Sequence, residues 1–191
     1  TLKKIVDNKR LVREKTSSDY QVEFRNIMME INSGLDVSSW AEAYKKIVNW
    51  ELKIDTSRSE EMIDILSMQK SEANSEFSKF VTRHYLTWIK DKEKAPLMSP
   101  DLMSAKILPH LNDKQPVVFL LLDNLRWDQW KMLEPIITEL YEVEEESFFY
   151  SILPTSTQYS RNSIFAGMMP ADIAKNYPDM WVEDFEEGGK N

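Results

Sequence analysis

The chain of 191 residues contains no cysteine and no long hydrophobic segment. The absence of cysteine excludes a disulfide framework and a thiolate metal site. The longest apolar run, Val117 to Leu122, is far shorter than the roughly 20 residues that a membrane-spanning helix needs. No signal peptide is visible either. We therefore expect no insertion into a membrane.

Basic residues are outnumbered by acidic ones, and histidine is scarce. The net charge of −8 argues against a broad, non-specific grip on nucleic acid. Of the two histidines, His84 lies on the apolar face of a predicted helix and His110 in a polar loop. Neither has metal-ligand spacing to another ligand. The hydrophobic share of 42% is enough for a core, so global disorder is excluded.

The first half of the chain, residues 1–93, has no proline and repeats apolar side chains every three or four positions. We expect a basic first helix, a second helix that ends at Gly34 and a third that is capped by Ser38 or Ser39. A long fourth helix should open near Ser59. This pattern predicts a three- to four-helix bundle.

The second half, residues 94–191, has the pattern of an α/β domain. Two prolines mark the break before it. Val117–Leu122 is an almost continuous apolar run, as in a strand buried on both faces, and Ser147–Leu153 is predicted to be a second strand. Helices are predicted at Asp128–Leu140, Thr157–Met168 and Ala171–Asn176, and a loop at Glu183–Asn191. The predicted fold class is therefore α followed by α/β, with domains at 1–93 and 94–191.

Two polar residues lie where α/β proteins bind ligands, at a strand end and near a helix N-terminus. Asp123 ends the first predicted strand. Its carboxylate suits a metal ion, and the alternative is a solvated carboxylate or a cap of the next helix. Thr157 opens a predicted helix, where its hydroxyl is either an N-cap or a nucleophile. Thr155 and Ser156 are its rivals for the nucleophile.

Arg161 and Asn162 follow Thr157 by about one helical turn. A guanidinium matches two phosphate oxygens, so a phosphate contact is one interpretation. The other is a surface salt bridge and a polar helix position. Tryptophans at helical spacing favour core or interdomain contacts over a platform for stacking bases; they are Trp40, Trp50, Trp88, Trp127 and Trp130.

These motifs together resemble the alkaline phosphatase superfamily. In its phosphodiesterase members, an apolar strand ends in Asp-Gly-x-Arg, whose Asp binds a metal. Here Asp123-Asn124-Leu125-Arg126 has Asn in place of Gly. The family's Pro-Thr-x-Thr turn carries the nucleophile at its second Thr and matches Pro154-Thr155-Ser156-Thr157, and Gly167 and Pro170 match a later Gly and Pro. Residues 157–162 are similar to the Thr-Gln-Tyr-x-Arg-Asn of the PglZ branch.

The whole chain resembles PorX-like response regulators, which carry a PglZ domain and regulate type IX protein secretion. The resemblance implies a zinc-dependent phosphodiesterase or phosphatase in which Thr157 is the nucleophile and Asp123 and Thr157 bind the metal. It also implies a cytoplasmic location. The implied partners are a receiver domain, a cognate sensor kinase, type IX secretion components, a second copy in a homodimer and a phosphodiester or nucleotide substrate.

The resemblance also predicts that this chain is part of a longer protein. Residues 1–16 are similar to the end of a receiver domain's last helix, and no histidine follows Thr157, where the family has its remaining metal ligands. We therefore expect the 191-residue chain to be inactive alone, unless this protein lacks those ligands altogether. The second hypothesis is a non-catalytic signalling or interaction module that dimerises through the helical bundle. Downstream Asp and His ligands would favour the enzyme.

Overall fold

The computed structural model describes residues 2–57, 60–111 and 116–182. Three long helices come first in these ranges: α1 at Leu2–Ser33, α2 at Val37–Ser57 and α3 at Glu60–Lys90. The helical first half is thus confirmed. The two helices predicted before Gly34 form one continuous helix, because no proline or glycine interrupts the hydrogen-bond ladder there. Gly34 ends it in the left-handed conformation, with φ of 91°.

The N-terminus of α2 is capped by Asp36 and not by either predicted serine. Oδ1 of Asp36 accepts hydrogen bonds from the Ser39 amide at 2.7 Å and from the Ser38 hydroxyl at 2.9 Å. These bonds, the Ser39 amide first, hold the pKa of Asp36 below its ordinary value. The predicted cap of the next helix, Ser59, lies outside the described residues, as does the predicted loop Glu183–Asn191.

The core of the bundle is formed by apolar side chains at helical spacing. Trp40 packs edge-on against Phe77, with ring centroids 5.2 Å apart, and it is buried, which confirms its interpretation as a core residue. Burial of each large side chain contributes about 1.5–3 kcal/mol. The buried apolar residues of these helices include Tyr20, Ile27, Ile31, Ile47, Val48, Ile54, Met62, Leu66, Ala73 and Phe80. No described helix is both long and apolar enough to cross a membrane.

The chain divides into two compact units, and each unit is made of two segments that are separate in the sequence. The first unit joins Thr1–Leu86 to Arg126–Glu142, and the second joins Thr87–Leu125 to Val143–Asn191. The segment that returns to the first unit carries α4 at Trp127–Ile137, which packs against α2. Its Trp127 ring lies beneath the Lys131 ammonium, with Nζ 4.5 Å from the ring centroid.

The second unit contains no β-strand among its described residues. The predicted strands at Val117–Leu122 and Ser147–Leu153 are not formed; the only β pairing there is an isolated parallel bridge between Met98 and Tyr150. A buried parallel strand needs a hydrogen-bonded neighbour, and Val118 is 88% exposed. The α/β arrangement of this half is therefore not formed in the described residues.

Short helices take up much of the second unit. Near the start of this unit lie a 3₁₀ helix at Ser99–Asp101, a π-helix at Met103–Ile107 and a second 3₁₀ helix at Leu108–His110. The two predicted helices near the end are present as α5 at Thr157–Ala166 and α6 at Pro170–Asn176. Helix α5 is the element that positions Thr157.

Candidate functional site

Thr157 and Asp123 lie 34 positions apart in the chain and meet through their side chains. The Thr157 hydroxyl donates a hydrogen bond to Oδ2 of Asp123, with 3.1 Å between the oxygens. Asp123 lies in an exposed turn that follows the apolar segment, and Thr157 is the first residue of α5. The two residues that the motifs single out therefore share one location in the second unit.

The contact bears on the alternative roles of both residues. The N-cap of α5 is Ser156, in extended conformation, and it makes no side-chain cap bond. The Thr157 hydroxyl bonds outside its own helix, so it is not the N-cap hydroxyl. Asp123 does not cap the following helix either, because the N-cap of α4 is Arg126. Asp123 is exposed, so the solvated carboxylate is the alternative to metal binding that remains for it.

The turn that holds Asp123 explains the departure from the family motif at the next position. Asn124 has φ of 59°, in the left-handed region that L-residues rarely occupy. Glycine adopts this conformation without strain, and asparagine is among the few other residues that tolerate it. Asn124 therefore preserves the backbone geometry that Gly would have in the Asp-Gly-x-Arg motif.

We expect Asn124→Gly to keep the stability of the protein, and Asn124→Val to lower its free energy of unfolding by about 1–2 kcal/mol. A β-branched side chain in the left-handed region is strained by roughly this amount. Urea unfolding measures both changes. Leu125→Val places the same side chain at the neighbouring exposed position, where φ is not positive, and should cost less. Equal stability of Asn124→Val and Asn124→Gly would show that the positive φ is not required.

Arg161 lies one helical turn beyond Thr157 on α5. Residues four apart lie on the same side of a helix, so the guanidinium is on the side of the Thr157 hydroxyl. Arg161 is partly buried and forms no ion pair within the described ranges. Asn162 is five positions from Thr157, about 140° around the helix axis. Helix geometry thus favours Arg161 over Asn162 for a phosphate contact, and both roles stay predictions.

The remaining polar candidates lie elsewhere. Arg126 forms a two-pronged ion pair with Asp128, at 3.0 and 2.8 Å, which holds the pKa of that carboxyl below its ordinary value. The ring of His84 lies against Phe80, with centroids 4.7 Å apart, on an exposed part of α3. His110 ends the 3₁₀ helix at Leu108–His110.

The Asp123 carboxylate is of a ligand type that zinc accepts. Two oxygens bound to one tetrahedral zinc ion, each about 2.0–2.2 Å from it, lie roughly 3.3–3.6 Å apart. The observed separation of 3.1 Å is a hydrogen-bond distance, so the two oxygens would have to move slightly apart to share an ion. Zinc sites use three or four protein ligands, and the described residues contain no group of three or more His, Cys, Asp or Glu that could hold a metal. These two residues would therefore hold a metal only together with further ligands.

Sequence reasoning missed a cluster of three hydroxyl groups beneath α5, formed by Ser99, Ser151 and Ser160 and called here the serine cluster. The Ser160 oxygen lies 2.7 Å from that of Ser151 and 3.2 Å from that of Ser99. One signal in the sequence points to it, since Thr157, Ser160 and Ser163 recur at intervals of three. This spacing gives one side of α5 a row of hydroxyls.

Comparison with known proteins identifies both halves of the chain. Residues 10–89 match the family model of the PorX response regulator linker domain. Residues 102–191 match the family model of the BREX system PglZ alkaline phosphatase-like domain, and this range includes Asp123 and Thr157. No curated protein matches the chain. The order of the two matches confirms the resemblance drawn from the motifs, which is to PorX-like proteins with a response regulator linker domain followed by a PglZ domain.

Proposed function

We propose that this chain belongs to a cytoplasmic response regulator whose PglZ output domain is a zinc-dependent phosphodiesterase or phosphatase. The observation that carries the proposal is the 3.1 Å contact between the Thr157 hydroxyl and Asp123. It joins the two positions that match the family's nucleophile and metal-binding carboxylate. In this proposal a receiver domain and a cognate sensor kinase control the activity, which regulates type IX protein secretion.

Thr157 is the proposed nucleophile, and its place at the start of α5 suits attack on phosphorus. As its Oγ1 bonds to phosphorus, the hydroxyl proton leaves, and Oδ2 of Asp123 already accepts that hydrogen. Zinc, when bound, lowers the pKa of the hydroxyl and withdraws charge from the phosphoryl group. One ester bond of the phosphodiester then breaks and its alcohol leaves with a proton, which leaves the other ester on the phosphoryl group bound to Thr157. Water releases this group as a phosphomonoester in a second step.

The surroundings of Thr157 suit an anionic substrate. The first turn of α5 carries no acidic side chain, so the positive end of the helix dipole is not offset by its own residues. Backbone N–H groups at a helix N-terminus bind phosphoryl oxygens readily. Arg161, on the same side of α5, adds a cation whose forked geometry matches two phosphoryl oxygens. A phosphodiester or a nucleotide is the proposed substrate class.

A second candidate is a non-catalytic signalling module that dimerises through the helical bundle. It is favoured by the absence of a third metal-binding His, Cys, Asp or Glu beside Asp123 in the described part of the chain. In that case the linker helices would relay the state of a receiver, and the PglZ part would bind a partner. The two candidates differ in metal content and in turnover.

Elemental analysis and turnover of bis(4-nitrophenyl) phosphate by the purified full-length protein test the proposal. We expect bound zinc and metal-dependent hydrolysis, which a chelator removes and zinc restores. The 191-residue chain with added zinc should show little or no turnover, because it supplies only two of the donors. A metal-free or metal-loaded full-length protein without hydrolysis would favour the signalling module. Full turnover by the 191-residue chain would show that no further ligands are needed.

A further inference from the structure

The serine cluster is partly buried and is well connected by hydrogen bonds. Ser99 is fully buried, and its hydroxyl oxygen accepts a hydrogen bond from the Ile152 amide at 3.1 Å. The same oxygen lies 3.2 Å from that of Ser160, which in turn lies 2.7 Å from that of Ser151. Ser160 therefore contacts both of the other hydroxyls.

The two segments that supply Ser99 and Ser151 are themselves paired. The Tyr150 amide donates to the Leu97 carbonyl at 2.8 Å, and the Ser99 amide donates to the Tyr150 carbonyl at 3.2 Å. The Ser99 side chain continues this pairing by one bond to Ile152. Through Ser160, helix α5 is hydrogen-bonded to both sides of a backbone pair that is fixed independently of the helix.

Ser160 is three residues from Thr157, so the two side chains lie about 60° apart around the axis of α5 and about 4.5 Å apart along it. Side-chain oxygens lie roughly 5 Å from the axis of a helix. A rotation of α5 by about 20° would therefore move the Thr157 hydroxyl by roughly 1.7 Å. A misplacement of about 1 Å at a reacting group can cost on the order of a hundredfold in rate.

Apolar packing fixes such a rotation less sharply than hydrogen bonds do, because hydrophobic burial is non-directional. Hydrogen bonds at 2.7 and 3.2 Å depend on angle and distance and so select one rotation of the helix. The next residue in the hydroxyl row differs from Ser160. Ser163 is fully buried and Ser160 is partly buried, but the hydroxyl oxygen of Ser163 has no hydrogen-bond partner in the described part of the chain.

We propose that Ser160 is a positioning residue, and that the serine cluster sets the rotation of α5 and thereby directs the Thr157 hydroxyl towards Asp123. The effect on catalysis rests on the proposed function. The effect on the geometry of Thr157 does not, and it can be measured separately.

The experiment compares Ser160→Ala with Ser163→Ala in the full-length protein. Both substitutions remove one hydroxyl from the buried side of α5, but only the first breaks hydrogen bonds. With bis(4-nitrophenyl) phosphate, Ser160→Ala should lower kcat by about 10- to 100-fold, while KM and bound zinc stay within about twofold. Ser163→Ala should keep kcat within about twofold, and Ser160→Cys, which retains a weak donor, should recover part of the loss.

The NMR signal of the Thr157 methyl group, assigned by its loss in Thr157→Val, gives the readout that does not need turnover. It should shift in Ser160→Ala and stay in place in Ser163→Ala. An unchanged methyl signal in Ser160→Ala, or equal shifts in both variants, would overturn the proposal. A shifted signal in a full-length protein without hydrolysis would support the positioning role and reject the proposed enzyme.

Discussion

Thr157→Ala in the full-length protein is expected to lower the turnover of a phosphodiester by roughly a thousandfold or more, with zinc still largely bound. Loss of a nucleophilic hydroxyl removes the covalent step, and such losses reach several orders of magnitude. Asp123 remains to hold the metal, since it is the anionic member of the 3.1 Å pair. Steady-state kinetics and elemental analysis of the same preparation measure the two quantities.

Its controls are the two rival hydroxyls in the same turn, Thr155 and Ser156. Thr155→Ala removes an exposed hydroxyl, and Ser156→Ala removes the side chain of an N-cap residue that makes no side-chain cap bond. Both variants should keep kcat within a few-fold of the parent protein. Near-normal turnover by Thr157→Ala, or loss of turnover in Thr155→Ala or Ser156→Ala alone, would move the nucleophile to water or to another residue.

The helices of the first half could be predicted because their cause is local. Apolar side chains at three- and four-residue spacing, without proline, define each amphipathic face, and Gly34 marks where α1 ends. The wrong predictions concern the ends of helices, where several neighbouring residues could provide the cap. Asp36 precedes both predicted serine caps and takes the cap of α2 because its ionised carboxylate is the stronger acceptor.

The second half could be predicted less well because strands depend on partners elsewhere in the chain. The apolar pattern of Val117–Leu122 predicts a strand with both faces buried, but it does not indicate which segment would be the neighbouring strand. In the described residues no strand pairs with this segment, and it has no regular secondary structure and is largely exposed. The return of α4 to the bundle, where Lys45 Nζ of α2 lies 6.0 Å from the centroid of the Trp127 ring, is likewise set by tertiary contacts that no local pattern encodes.

The candidate site likewise has a part that could be predicted from the sequence and a part that could not. The meeting of Asp123 and Thr157 followed from resemblance, which carries three-dimensional information that composition and periodicity lack. Their hydrogen bond agrees with that expectation, while the catalytic and metal-binding roles remain predictions. The serine cluster brings together residues as far apart as Ser99 and Ser160, through small side chains without any distinctive motif. Only the three-residue spacing on α5 hints at it.

Asp123→Ala is expected to weaken zinc binding by the full-length protein more than about a hundredfold, and activity should fall with it. Loss of groups that merely orient a ligand already costs about 10- to 100-fold in metal affinity, so loss of a ligand costs more. Asp123→Asn keeps the shape of the side chain but removes its negative charge. Its zinc affinity should therefore lie between that of the parent protein and that of Asp123→Ala. Competition with a chromogenic chelator measures the affinity, and excess zinc should restore part of the turnover of Asp123→Asn.

The control for that experiment is Asp172→Asn, which removes one negative charge from an exposed position in the first turn of α6. It should leave zinc affinity unchanged, which separates ligation from a general loss of acidic charge. The pattern across variants is the decisive result. Added zinc should raise the turnover of the Asp123 variants, which have lost a metal ligand, and should not raise that of Thr157→Ala, which has lost the nucleophile. Unchanged zinc affinity in Asp123→Ala would remove Asp123 from the metal site and leave its contact with Thr157 as a structural hydrogen bond.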